Sequence, residues 1–587
     1  PMVDISVDPR WGRVSESAGE DPFLGSQIAR ARVRGFQGKD LQDTSTLLAC
    51  VKHFAAYGAP QAGRDYHTVD MSDRTLRDMY LPPYKAAIEE GVGSVMTAFN
   101  EVDGIPATAS SYLMTDILRK EWGFNGFVVT DYTAVEELIP HGVAADEKEA
   151  AFLALKAGVD MDMQSSSFRE YLKPLVEEGK VKESEIDKAV KRILEAKFAL
   201  GLFEDPYRYF DSEREKNLLM HQDHLDLAYE TALHTMVLLK NSPGVLPLSH
   251  GESLAVIGPL ANSQRDLLGS WIADGKWDSL KTILEALKEE NKDGVTHFAN
   301  GCGFDDTDRS GFPEAMKVAR SANKIILVMG EPWDWSGEAS SRTNIDLPEI
   351  QKEMIREISS LGKPVVLVLL NGRPLALEEE YEFTDAILEA WYPGTMGAKA
   401  IADVIFGNFN PSGKLPMTFP RNLGQVPIHY NMKNTGRPYE PEGPEQKYRS
   451  RYIDSSNEPL FPFGYGLSYT SFKYDEIRLG ASQLKTGNDL KINVIITNTG
   501  KREGTEVVQL YIRDLVGSVT RPVKELKGFR KILLQPGESK EIEFLITSKD
   551  LSFYRADMTF GTEPGEFEVF VGGNSRDVIS AKFQLLE

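Results

Sequence analysis

The chain has 587 residues, 41% hydrophobic and 26% charged, with 66 Lys and Arg against 88 Asp and Glu and a formal net charge of −22. At about 100–200 residues per domain this is several domains, and the acidity argues against nucleic acid or an anionic membrane surface as a main partner. The two cysteines, Cys50 and Cys302, give no zinc spacing or disulfide framework, and no apolar run approaches the roughly 20 residues needed to span a bilayer.

In chain order, the first region covers 1–210. Five apolar runs read as strands: PMVDISV, LLACVKHFAAYG, GVGSVMTAFN, GFVVTDY and GVDMDM. Helical patterns at 73–90, 111–121 and 146–157 lie among them. Strands alternating with helices predict a parallel sheet, and each run ends in polar or reactive residues, as at the catalytic end of a β/α barrel. A closed barrel needs about eight strands, so the first strands are expected to lie outside this chain. The opening residue, Pro1, already falls in a strand-like run. The stretch 203–225 is highly charged, and 211–234 is read as a linker.

The second region, 235–430, holds SLAVIG, KIILVMG, KPVVLVLL and DAILEAWY, separated by helical patterns at 279–290, 313–322, 348–361 and 396–406. These predict an α/β sandwich with a mostly parallel sheet. A Pro/Gly/polar stretch, 431–484, reads as a linker or wrapping segment. From 485 to 587, short alternating runs such as LKINVIITNTG and GEFEVFVGG predict an all-β sandwich.

Asp131 falls where GFVVTDY gives way to a helical pattern. Asp there is often a helix cap, but Thr133 and Glu136 have capping-box spacing and would cap that helix without it. Asp131 is therefore a site candidate. Lys52 and His53 stand together at another strand end, where a Lys in an apolar run needs a partner or a polar cavity. Arg10 and Arg13 in DPRWGR, Arg64 in GRDYH, and Met96 and Phe99 in SVMTAFN join them. Cations, carboxylates and apolar walls together suit a polyhydroxylated ligand. His221 and His224 have i, i+3 spacing without a third ligand and read as a surface helix. No metal and no cofactor is expected.

The loop GEPWDWSGEASSRTNIDLP, residues 330–348, carries Glu331, Asp334, Glu338 and Asp346 beside Trp333 and Trp335. Asp346, just ahead of a helical pattern, is expected to cap it. Spacing does not choose among the other three.

The stretches DPRWGRVSESAGEDPFL, VKHFAAYG, HTVDMSDRTLRDMYLPPYKAAI, SVMTAFNEVDG, VVTDYTAVEEL, GEASSRTNIDLP, LNGRPLAL, WYPGTMG, NPSGKLPMTFP and FPFGYGLSYTSF together resemble glycoside hydrolase family 3, especially its β-glucosidases. The resemblance spans nearly the whole chain in the family's order. It implies a β/α barrel, an α/β sandwich and a fibronectin-type-III-like domain. It also implies that Asp131 is the nucleophile and that Glu338, presented by the second domain, is the general acid/base. By the same matching Arg13, Lys52, His53 and Arg64 hold the sugar and Met96 walls its subsite. Phe99 stands where relatives often carry Tyr, and Tyr132 where many carry Trp; either could alter sugar preference. A sugar-gripping Asp belongs to the early barrel strands and cannot be named here. Trp333 and Trp335 are read either as stacking on the leaving-group sugar or as core packing.

The expected reaction is a retaining double displacement releasing terminal glucose from β-glucosides or cello-oligosaccharides, with the two carboxyl groups about 5–5.5 Å apart. The alternatives are a β-xylosidase or α-arabinofuranosidase of the same family, a β-N-acetylglucosaminidase (disfavoured, since these usually use a different His-containing loop), a phosphorylase, or a non-catalytic sugar-binding relative. The expected partner is a carbohydrate, with a homodimer allowed and neither nucleic acid nor membrane involved. The family implies a periplasmic or secreted protein.

Overall fold

Strand Cys50–Phe54 pairs in parallel with Ser94–Thr97, which pairs in parallel with Phe127–Val129. Single parallel bridges, Met2 to Lys52 and Val129 to Met161, extend the run at both sides. The five strand-like runs thus lie side by side in chain order, as β/α barrel units do. The computed structural model describes residues 1–439 and 447–587. They form two compact units, Pro1–Trp11 with Glu16–Leu219 and Gly12–Ser15 with Met220–Glu587.

In the first unit, helix Pro22–Gln37 starts where Asp21 accepts a hydrogen bond from Leu24 N at 2.6 Å, with Pro22 at its first position. Helix Glu147–Ala157 starts on Asp146 and stops at Gly158, whose φ of 119° gives a left-handed cap. The pattern at 73–90 is not one helix. It breaks into Asp73–Thr75, a π-helical turn Leu76–Tyr80 and Pro82–Glu89, because Pro82 and Pro83 offer no N–H to continue the ladder. Residues 211–234, read as a linker, are largely helical: Ser212–Leu218 and then Gln222–Thr235, the latter with His221 at its N-cap.

The second unit holds a six-stranded sheet in the order Val237–Asn241, Ala386–Glu389, Val365–Leu370, Lys324–Gly330, Ser253–Ile257, Val295–Ala299. All neighbours are parallel except the first pair. Sequence reading missed the two outer strands; Val295–Ala299 is largely half-exposed and carries Thr296 and His297, so its apolar signal is weak. Ile326, Val328, Val366 and Val368 pack with helices Ile283–Glu290 and Gly397–Phe406, while Ile325, Leu327, Val365 and Leu367 pack with Phe312–Ser321 and Glu349–Ser359. Burial on both faces is why these strands read as unbroken apolar runs.

A β-sandwich completes this unit. One sheet contains Phe472–Tyr474, Leu490–Asn498, Arg478–Leu479 and Ser539–Ile546; the other contains Gln483–Lys485, Val578–Leu586, Gly565–Gly572, Gly504–Asp514 and Glu525–Leu534. Ile492, Val494, Val508, Leu510, Phe567 and Val569 fill the space between. The sandwich therefore recruits short strands from before 485. Of the segment 431–484, residues 440–446 lie outside the described residues. The rest spans both parts: Lys433 bridges Pro522, Leu467 bridges Leu238, and Phe461 bridges Phe419. Among the described residues no helix is long and apolar enough to cross a membrane.

Candidate active site

Strand Phe127–Val129 runs out through Thr130, whose N–H donates to Met161 O at 3.0 Å and whose hydroxyl accepts from Met163 N at 2.9 Å. Asp131 follows and is only 9% exposed. Its Oδ1 accepts from Tyr132 N at 2.7 Å. Its Oδ2 has no hydrogen-bond partner and faces His53 Nε2, which has none either, at 3.5 Å. The expected Thr133–Glu136 capping box does not form. Thr133 is left-handed (φ 63°), its hydroxyl goes to Tyr132 O and Glu137, and the turn Glu136–Leu138 has no side-chain cap. A buried carboxylate oxygen aimed at a ring nitrogen, with no hydrogen bond of its own, makes Asp131 a candidate for function.

His53 is held from behind. Its Nδ1 and backbone N–H donate to Asp4 Oδ2 at 3.0 and 3.1 Å, and Tyr84 donates to Asp4 Oδ1 at 2.5 Å and lies within hydrogen-bond reach of His53 O. All three side chains are buried. Burial pushes the Asp4 carboxyl up, but the hydrogen bond and charge of His53, with the Tyr84 hydroxyl, outweigh it and hold Asp4 below the usual carboxylate range. Burial and the Asp4 charge push the Tyr84 phenol well up, so it stays a donor. Sequence reading missed Asp4 and Tyr84. The legible signal was Asp4 itself, an acid inside the apolar run PMVDISV, which needs a buried partner.

Aromatic rings line the same region. Tyr57 packs edge-on against His53 at 5.1 Å, Trp11 at 5.3 Å and Phe99 at 5.8 Å, and Tyr66 meets Phe99 at 5.3 Å. Met96 is half-buried and pairs with Val129, two residues before Asp131. Lys52 is half-buried on its strand, and Tyr132 is exposed. Arg64 is exposed and hydrogen-bonds His67.

In the second unit, Glu338 lies on the loop after strand Lys324–Gly330. Its side chain is 27% exposed, and its Oε1 stands 3.5 Å from Nη1 of the buried Arg13. Arg13 belongs to the turn Gly12–Ser15, which packs on this loop: Gly337 N donates to Gly12 O at 2.9 Å. A Cβ on Gly12 would fall 2.2 Å from Gly337 O and 2.7 Å from Ser340 O, so only glycine permits the approach. Arg13 is thus a neighbour of Glu338.

The loop's other acids separate by structure. Glu331 is fully buried between Arg342 and Arg373. Asp334 is exposed, and its backbone carbonyl accepts from the Ser340 hydroxyl at 3.1 Å. Asp346 does not cap the next helix. Pro348 is the N-cap of Glu349–Ser359, without a side-chain bond, and Asp306 supplies the acceptor, taking Ile350 N at 3.1 Å. The capping group comes from a distant loop, which no local pattern reveals. The Arg265 guanidinium lies 3.8 Å over the Trp333 ring; Trp335 lies between Arg342, at 4.6 Å, and Phe304, at 6.0 Å.

The model of the glycosyl hydrolase family 3 N-terminal domain matches residues 1–196, that of the family 3 C-terminal domain 236–469, and that of the fibronectin type III-like domain 506–575. A periplasmic β-glucosidase of Salmonella typhimurium is 45% identical over 100% of this chain and 80% of its own. A β-xylosidase of Formosa agariphila is 40% identical over 98% of this chain and 81% of its own. The crystal structure of a Listeria innocua β-glucosidase with isofagomine superposes with a TM-score of 0.97 at 43% identity, covering 100% of this chain and 81% of that one. The chain belongs to glycoside hydrolase family 3.

Proposed function

We propose that the protein is a retaining exo-β-glucosidase in which Asp131 is the nucleophile and Glu338 the general acid/base. Asp131 attacks the anomeric carbon while Glu338 gives its proton to the departing oxygen; Glu338 then takes a proton from the water that cleaves the glycosyl–Asp131 ester. The observation that carries the reading is Asp131 itself, a buried carboxylate at a strand's C-terminal end with Oδ2 unpartnered and turned toward His53 Nε2. His53, Lys52 and Arg64 supply donors for sugar hydroxyls, Arg13 a cation beside Glu338, Met96, Phe99 and Tyr132 the sugar's walls, and Trp333 and Trp335 surfaces for the leaving group. The names of the Salmonella and Listeria relatives support glucose as the released sugar, and a mutant of the Listeria enzyme was solved with laminaribiose. A β-xylosidase is the second reading, favoured by the Formosa relative. The Salmonella relative also supports a periplasmic location.

Aryl β-glucoside and β-xyloside hydrolysis by the chain separates the two sugars. Asp131→Asn is expected to abolish turnover with the thermal transition unchanged. Glu338→Ala is expected to lose most on substrates with poor leaving groups and to recover with azide on activated ones. Full activity in either variant overturns that assignment.

A further inference from the structure

A carboxylate on a loop acts as acid and base only if the loop backbone is fixed to a fraction of an ångström. The approach to Glu338 is anchored conventionally. Gln351 takes both hydrogen-bonding groups of Gly330, accepting from its N–H at 2.9 Å and donating to its carbonyl at 3.0 Å. Trp333 N donates to Asp266 at 2.7 Å, and Tyr392 donates to Pro332 O at 3.2 Å.

Residues 335–340 are held differently. Arg373, fully buried in the turn after strand Val365–Leu370, donates through Nη2 to the carbonyls of Trp335 and Ser340, the latter at 2.9 Å. These carbonyls lie three residues before and two residues after Glu338. The Nε of Arg373 donates to Glu331 Oε2 at 3.2 Å, and the other oxygen of Glu331 accepts from Arg342. The Ser340 hydroxyl ties across to the carbonyls of Asp334 and Glu338 at 3.1 and 3.3 Å. A buried guanidinium is costly unless its donors are used. Here they span one short piece of backbone, and only the planar fork of arginine reaches such points together with a carboxylate.

We infer that Arg373 is a positioning residue for Glu338, clamping the loop on both sides of it, with Glu331 as the counter-ion that sets the clamp. The inference rests on the reading of Glu338 as acid/base. It gives the buried Arg373 and Glu331 a role in leaving-group protonation, not only in folding.

The test uses the full chain. Glu338→Ala, Arg373→Lys and Glu331→Gln are compared with the unsubstituted protein on dinitrophenyl β-glucoside, whose leaving group needs no proton, and on cellobiose, whose leaving group does. Displacing an acid by an ångström costs roughly 100-fold. Arg373→Lys is therefore expected to lose about that factor in kcat/KM on cellobiose and under about tenfold on the dinitrophenyl substrate. Glu331→Gln should show the same selectivity in milder form. A loss equal on both substrates, or no loss, overturns the clamp. If Arg373→Lys does not fold, Glu331→Gln, nearly isosteric, decides by the same ratio. Selective loss in Glu338→Ala without it in the clamp variants sinks the inference alone. Full cellobiose activity in Glu338→Ala sinks the underlying reading.

Discussion

In an imidazole the two ring nitrogens are distinct, and which one faces a partner depends on what holds the other. Asp4 claims Nδ1 of His53, so Nε2 is the nitrogen left for Asp131 and for a ligand. Asp4→Asn keeps the shape but offers its oxygen and amide without the charge. It should lower kcat/KM by about 10- to 100-fold, the range for groups that orient a functional histidine, while steady-state kinetics on an aryl glucoside checks it. A second buried carboxyl, Glu389, contributes to the pH dependence of stability. Burial pushes Glu389 from 4.5 up to about 8, the nearby Glu331 charge adds to this, and hydrogen bonds from Trp391 N and Asn371 only partly oppose it. Its folded pKa is raised, so its stabilising contribution is complete below pH 4.5 and is lost as pH rises through about 8. Glu389→Gln should flatten the fall in urea midpoint across that window. An unchanged slope would assign the pH dependence to other groups.

At the scale of elements, patterns of one period were legible. The unbroken apolar strands of the second unit and the alternating strands of the sandwich gave their positions from burial on two faces or one. Breaks and caps were less so. The helix pattern over 73–90 hid a π-helical turn ahead of Pro82 and Pro83, and helix Glu349–Ser359 takes its cap from Asp306 in place of Asp346. Asp306→Ala should cost about 1 kcal/mol of stability, the usual worth of a cap, and Asp346→Ala close to nothing. Denaturant unfolding of both variants distinguishes the two capping assignments. Gly330 marks another limit. Its φ of 136° and a Cβ position 1.9 Å from Leu370 O require glycine where the strand turns into the Glu338 loop; a lone glycine at a strand end says only that the strand stops.

For the whole molecule, the charge of −22 acts on ions far more than on neutral sugars. Between low and high salt, kcat/KM for an uncharged glucoside should change by less than about twofold, and a steep salt dependence would point to a charged substrate. The sequence by itself determined the family, the succession of β/α units, α/β sheet and β-sandwich, and two carboxylates to bet on, because apolar periodicity and short motifs are local properties of the chain. Position at a strand end made Asp131 a candidate, but Glu338 could be ranked above its loop neighbours only by resemblance, since a carboxylate's duty depends on what surrounds it. The tertiary structure decided that Glu331 is spent on two arginines, that Asp346 caps nothing, that Arg13 stands beside Glu338, and that Asp4 and Tyr84 aim His53. Each of these joins side chains from distant parts of the chain, and their cost and use come from shared burial, a property that exists only once the chain has folded.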